Sequence, residues 1–231
     1  MVVLAEFGRF PLWVEWAQAT ARFWSRVASM DQDRLLRKAF DLSCQMAANR
    51  GDSLPSAFRP WASHAAALLQ SLGMPANLHT PTPVDDGAVV EAARARHLEQ
   101  LAASNQPKVQ RYVRAVRGGV SPATYLPAAY VGAVADRPRR MRLAQLRTGS
   151  HWLAEETGRW QGRERAQRVC PHCEGGLVED AQHLIFDCSH YSALRRQFVD
   201  LFGVGSDMQA FLAQDPVRVA QFVHQCHALS V

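Results

Sequence analysis

"VCPHCEGGLVEDAQHLIFDCSHYS" (Val169–Ser192) gathers three of the chain's five cysteines and three of its nine histidines. Cys170 and Cys173 form a C-x2-C pair, a spacing that lets one tight turn aim two thiolates at one ion. Gly175 and Gly176 follow and permit the positive φ that folds the chain back. His183 and Cys188 complete a C-x2-C-x9-H-x4-C pattern. Three sulfurs and one imidazole make a soft tetrahedral set suited to Zn²⁺. With four protein donors no position stays open for water, so the site is expected to be structural, with one Zn²⁺ as the only cofactor. Leu184, Ile185 and Phe186 supply an apolar pad over the ion.

Other uses of these residues fit less well. A thioredoxin-like redox pair needs a βαβ context, which the chain lacks. A disulfide loop leaves an odd cysteine and needs an oxidising compartment. A zinc deaminase requires H-x-E upstream and a proline directly before the cysteine pair, whereas His151 is followed by Glu155 and Val169 precedes Cys170. His172 and His190 are alternative ligands, but His172 sits inside the tight turn with its ring expected to point away, and His190 is expected on the surface. Cys44 and Cys226 read as small apolar residues.

Outward from the cluster, the periodicity is helical throughout. Behind Pro11, the residues Trp13, Trp16, Ala17, Thr20, Phe23, Trp24, Val27 and Met30 recur at three-to-four spacing and predict a core-facing aromatic stripe. A second helix, capped by Asp31 or Asp33 and stopped by Gly51, carries Leu35, Leu36, Ala39, Phe40, Leu42 and Met46. A third opens at Pro60 and ends at Gly73. The turn-rich stretch from Pro75 to Gly87 predicts a linker, with Asp85 and Asp86 as helix caps rather than a polymerase metal site. A helix from Ala88 precedes a basic one that ends at Gly118–Gly119. In "DRPRRMRLAQLRTGSHWLAEETGRW", Met141, Leu143, Ala144 and Leu146 are expected inward, Ser150 caps the next helix and Gly158 ends it. Tyr191–Phe202 and Pro216–Leu229 predict two last helices. No sustained period-two pattern and no repeat is present. The expected fold is all-α: a helical array with a small zinc-stapled hairpin/helix element near the C-terminus. Its expected parts are 1–74, a linker 75–87, a basic region 88–168, the zinc element 169–202 and a tail 203–231.

Charge is unevenly spread. Glu91–Arg168 holds 15 basic and 6 acidic residues, +9, against +5 for the whole chain, so the rest is acidic. A basic middle third attracts polyanions, nucleic acid first among them. The start has an early Glu6 and no basic n-region, so no signal peptide is expected. The longest stretch free of Asp, Glu, Lys and Arg, Pro60–Val84, is broken by Gly73 and prolines, so no membrane contact is expected. An intracellular setting, nuclear or cytoplasmic, follows from the sparse cysteines.

Three segments carry a resemblance. "RLAQLRTGSHWLAEETGRW", "RVCPHCEGGLVEDAQHLIFDCSHYSALR" and "FGRFPLWVEWAQATARFWSRV" together resemble the C-terminal zinc-binding (CCHC) segment of non-long-terminal-repeat retrotransposon reverse transcriptases and the helical stretch before it. The features matched are the Ser-His and Glu-x-Gly-Arg run, C-x2-C, Glu-Asp-x-x-His, a hydrophobic triplet, Cys, then Tyr-x-x-x-Arg, and an opening Gly-Arg-aromatic-Pro. The resemblance implies metal binding by Cys170, Cys173, His183 and Cys188, and help in holding template RNA or target DNA. The chain has no aromatic-x-Asp-Asp polymerase motif, no nuclease constellation and no P-loop, so no catalysis is expected. The expected function is a zinc-binding, nucleic-acid-binding module of retroelement origin. RNA or DNA would be held through backbone phosphates by Arg139, Arg140, Arg142, Arg147, Arg163, Arg165 and Arg168, with His151, Trp152 and Trp160 as stacking candidates; the competing expectation is that the tryptophans pack between helices and that individual arginines pair with Glu155, Glu156 and Glu164. The alternatives are a zinc-stabilised structural or protein-interaction module, with a polymerase domain or another protein as partner, or a decayed fragment without a selected role.

Overall fold

A computed structural model describes residues 2–50, 55–203 and 207–230; the expected stop at Gly51 lies outside them. Among the described residues there is no strand, only isolated bridges at Phe7–Pro127 and Val169–Val178. The all-α expectation holds, with the second bridge forming the small hairpin at the cysteines. Among the described residues no helix is long and apolar enough to cross a membrane.

The chain forms two compact units, Phe10–Gln100 and Met1–Arg9 with Leu101–Val231. The short α1 (Val2–Glu6) belongs to the latter. The Phe10–Gln100 unit starts with α2 (Leu12–Ala28), entered from Pro11 in extended conformation. Its buried face is Val14, Ala17, Ala21, Trp24 and Val27. Trp16 is therefore not core: at 65% exposure it lies on the outer face, because a helix apolar on two sides buries only one. In α3 (Leu35–Arg50) the buried residues are Phe40, Cys44 and Ala47, while Leu35, Leu36, Leu42 and Met46 are exposed, again a change of face. The Arg37 guanidinium donates to the Ala28 carbonyl and pairs with Asp41, so one side chain on α3 satisfies a carbonyl orphaned at the end of α2. α4 (Trp61–Ser71) follows Pro60 and buries Ala62, Ala65, Ala66 and Leu69.

The stretch 75–87 is not a loose linker. Ala76 and Val84 are buried, the Trp24 indole donates to the Thr82 carbonyl at 2.9 Å, and Ser25 exchanges two 2.9 Å bonds with the Val84 backbone. The division between units falls instead in the last turn of α5 (Asp86–Ala102). Asp85 caps α5 through the Gly87 and Ala88 amides; Asp86 pairs with Arg22 at 2.8 Å.

In the other unit, α6 (Pro107–Arg111) runs into a π turn (Tyr112–Val116) that ends at Gly118 and Gly119, both at positive φ. Then come α7 (Ala129–Ala133) and α8 (Arg137–Thr148). Asp136 caps α8 by accepting from the Arg139 amide, and Gly149 closes it at φ +68°. Leu143 and Leu146 face inward; Met141 does not. α9 (Ala154–Trp160) is capped by Glu179 rather than Ser150, and Gly158 lies inside it, where a Cβ would meet the Arg168 side chain at 2.7 Å. The expected helix Tyr191–Phe202 is broken into 3-10 turns around α10 (Ser192–Gln197). α11 (Met208–Leu212) and α12 (Pro216–Leu229) complete the unit. One core joins Leu143, Leu146 and Leu153 to Leu184, Ile185, Leu194, Phe198, Phe211, Phe222 and Cys226, so the expected segments 169–202 and 203–231 share a core with the later part of 88–168, whose first residues, to Gln100, belong to the other unit.

A buried charge anchors the N-terminal residues here. Glu6 accepts from Arg147 Nε at 2.9 Å and Nη2 at 3.1 Å, and from the Tyr112 hydroxyl at 2.8 Å. Its carbonyl accepts from the Ala128 amide at 2.9 Å. Gly8, at φ +59°, lets the chain pass Pro127 where a Cβ would lie 2.6 Å from the backbone nitrogen.

Candidate metal centre

The hairpin delivers two of the four donors. Cys170 N–H bonds the Leu177 carbonyl at 2.9 Å and Glu179 N–H bonds the Arg168 carbonyl at 3.0 Å, with Gly176 at φ +61° turning the chain between them. The Cys170 sulfur accepts from the His172 amide at 3.4 Å, a contact that holds the cysteine turn closed. The other two donors come from one turn. Asp180 Oδ1 accepts from the His183 amide at 2.9 Å and starts a π turn (His183–Asp187). Its wider i→i+5 bond, Cys188 N–H to the His183 carbonyl at 2.8 Å, brings the x4 spacing round to one side.

The result is a compact tetrad. Cys170 Sγ and Cys188 Sγ are 3.8 Å apart, Cys173 Sγ and His183 Nε2 3.4 Å, and all four donor atoms lie within 4.8 Å of one another. A tetrahedral ion with metal–sulfur bonds of about 2.3 Å needs donor–donor edges of roughly 3.5–3.8 Å. Cys170, His183 and Cys188 are buried and Cys173 half-buried, over a floor of fully buried Leu184 and Ile185. The four residues can hold a metal ion. Burial pushes the Cys170 thiol up to about 12 and raises that of Cys188, so a cation is what makes thiolates favourable there. His172 stays out of the tetrad: its ring stacks on His190 at 5.0 Å, with Nε2 3.6 Å from Glu179.

Two supporting residues went unassigned from sequence. Arg195 donates to the carbonyls of Leu184, Ile185 and Cys188, tying both ends of the π turn to α10. Buried Glu179 accepts from the Ala154 amide at 2.7 Å, while its carbonyl accepts from the Glu155 amide at 3.1 Å, fastening the hairpin to the start of α9. Both were visible as the Arg of Tyr-x-x-x-Arg and the Glu of Glu-Asp-x-x-His.

The arginines expected on nucleic acid fall into two groups. Arg147 is removed from that role: it is 8% exposed and committed to Glu6. Arg168 donates to the carbonyls of Arg163 and Glu155 and serves as a loop tie. Arg140 donates to the Val134 carbonyl at 2.7 Å, closing the turn before α8. Arg163 and Arg165 are exposed, the latter paired with Asp180 at 3.0 Å. Arg139 and Arg142 are half-exposed on α8, and Arg142 reaches the Gln145 side chain. Neither His151 nor Trp152 is available to stack on a base. His151 is 2% exposed, and Trp152 packs edge-on against His227 and donates to the Ser230 hydroxyl. Trp160 is 65% exposed.

No known protein family, curated protein or solved structure matches the chain.

Proposed function

We propose that the chain is a non-catalytic nucleic-acid-binding module of retroelement origin, stapled by one structural Zn²⁺ on Cys170, Cys173, His183 and Cys188. The observation that carries this reading is the closed tetrad: three sulfurs and one imidazole nitrogen within 4.8 Å favour zinc and leave no open coordination position for substrate. Nucleic-acid binding is supported by the excess of basic residues in Glu91–Arg168 and by the solvent-accessible Arg139, Arg142, Arg163 and Arg165. Phosphate contact by these groups releases counterions, so affinity should fall steeply with salt. Metal analysis should find one zinc per chain. Binding to single-stranded RNA and duplex DNA across a salt series tests the rest; no binding at low salt, or binding that ignores salt, overturns it.

A second reading, a protein-interaction module, is supported by Leu12 and Trp16, both more than 60% exposed on α2. Trp16→Ser would then abolish partner capture while leaving nucleic-acid affinity untouched.

A further inference from the structure

Where α8, α10 and α12 meet, a cleft of about 340 Å³ is lined by Arg139, Gln197, Phe198 and four residues of α12 beginning with Arg218. Among the described residues no carboxylate lines it. Arg218 is fixed in place: its guanidinium lies 4.3 Å from the centre of the Phe198 ring and grips Asp200 at 2.8 and 3.1 Å. A guanidinium carries five N–H donors, more than Asp200 and a 3.5 Å contact to Gln221 take up. Arg139 has no side-chain partner among the described residues, although it is half-buried. His224, on the same wall, holds its Nδ1 buried and without a hydrogen bond. The amides of Gln197, Gln221 and Gln225 add uncharged donors.

Unmet cationic and amide donors around a carboxylate-free space suit an anion with several acceptor oxygens. The guanidinium fork matches phosphate geometry, and neutral amides beside two arginines suit a singly charged diester. The space exceeds what a lone phosphate fills, leaving room for the attached sugar. We propose that this cleft binds one phosphodiester of a nucleic-acid strand, with Arg139 and Arg218 on its oxygens and the glutamine amides on the flanking atoms. The proposal rests on the nucleic-acid reading above and adds residues of α10 and α12 to it.

The test uses the zinc-loaded full chain with a fluorescent single-stranded ten-nucleotide probe, and separately inorganic phosphate followed by NMR at His224. Arg139→Gln and Gln225→Glu remove a partnerless cation and add a charge at an exposed position, so neither disturbs packing. Each should weaken probe binding roughly five- to tenfold, as for loss of one charge-assisted contact. Arg139→Gln should also reduce the slope of log affinity against log salt by about one. Wild-type binding with both variants unchanged overturns the cleft and leaves the module reading standing. A chain that binds no probe while phosphate still shifts His224 overturns both and marks a free-phosphate site.

Discussion

Both compact units have an apolar core, but they differ in what they bury beside it. In Phe10–Gln100 an apolar cluster does the work: Trp24 is fully buried, with Phe40 edge-on at 5.1 Å and Trp61 at 6.4 Å, and alanines of α2 and α4 allow close approach. The other unit buries Glu6, Arg147, His151, Glu156, Glu179 and His183, together with Cys170 and Cys188. Apolar burial is favourable without a partner, whereas buried ionisable groups are costly until neutralised, paired or bound to metal. The first unit buries His97 but no such cluster, so the second should depend more strongly on metal and pH.

Metal removal should break this symmetry most. Structural zinc in small peptides contributes about 10–16 kcal/mol of apparent binding free energy at neutral pH. Cys173→Ser, His183→Ala or a strong chelator should abolish amide-exchange protection over 169–202 and at the start of α9, whose cap comes from Glu179. Protection in α2 to α4 should be unchanged. Cys44→Ala, a buried cysteine of the other unit, should leave metal content at one equivalent. Retained protection in metal-free protein would remove the tetrad from the account of stability.

The converse is Trp24→Ala, expected to cost about 3–5 kcal/mol by cavity formation and loss of the bond to Thr82. Urea unfolding should show a lowered transition for α2 to α4, with metal content intact. An equal loss of bound metal would mean that the units do not differ as argued.

How much of this contrast the sequence carried depends on range. The tetrad was legible because its spacing is local: a tight turn and a single π turn place all four donors. The all-α class was legible from three-to-four periodicity. The phase of that periodicity was not, since α2 and α3 carry large apolar residues on two sides; Trp16 and Leu35 therefore ended outside. Arg147 was misread as a surface cation because its partner Glu6 lies 141 residues away. Arg168 and His151 were misread for a related reason, that nothing local marks a guanidinium used on carbonyls or a histidine enclosed on every side.

The smallest effect separates the buried groups by pH. Burial first, and then the positive charge of Arg111, hold the His151 pKa down to about 3. The unfolded chain takes up this proton near pH 6.5 and the native chain does not until about 3. Stability from His151 is thus complete above 6.5 and lost as pH falls through that window, at a slope approaching 1.4 kcal/mol per pH unit. Burial acts to raise the Glu6 pKa, but Arg147, Tyr130 and Tyr112 together hold it below the ordinary carboxylate value, so its contribution is lost only at lower pH. His151→Leu should remove about 2 kcal/mol of the stability lost between pH 7 and pH 5, leaving the fall below pH 3 in place. The readout is the urea midpoint of the unit formed by Met1–Arg9 and Leu101–Val231 at each pH. Identical slopes for wild type and variant between pH 7 and 5 would show that His151 accepts its proton in the native fold, and that this unit tolerates buried charge better than its packing implies.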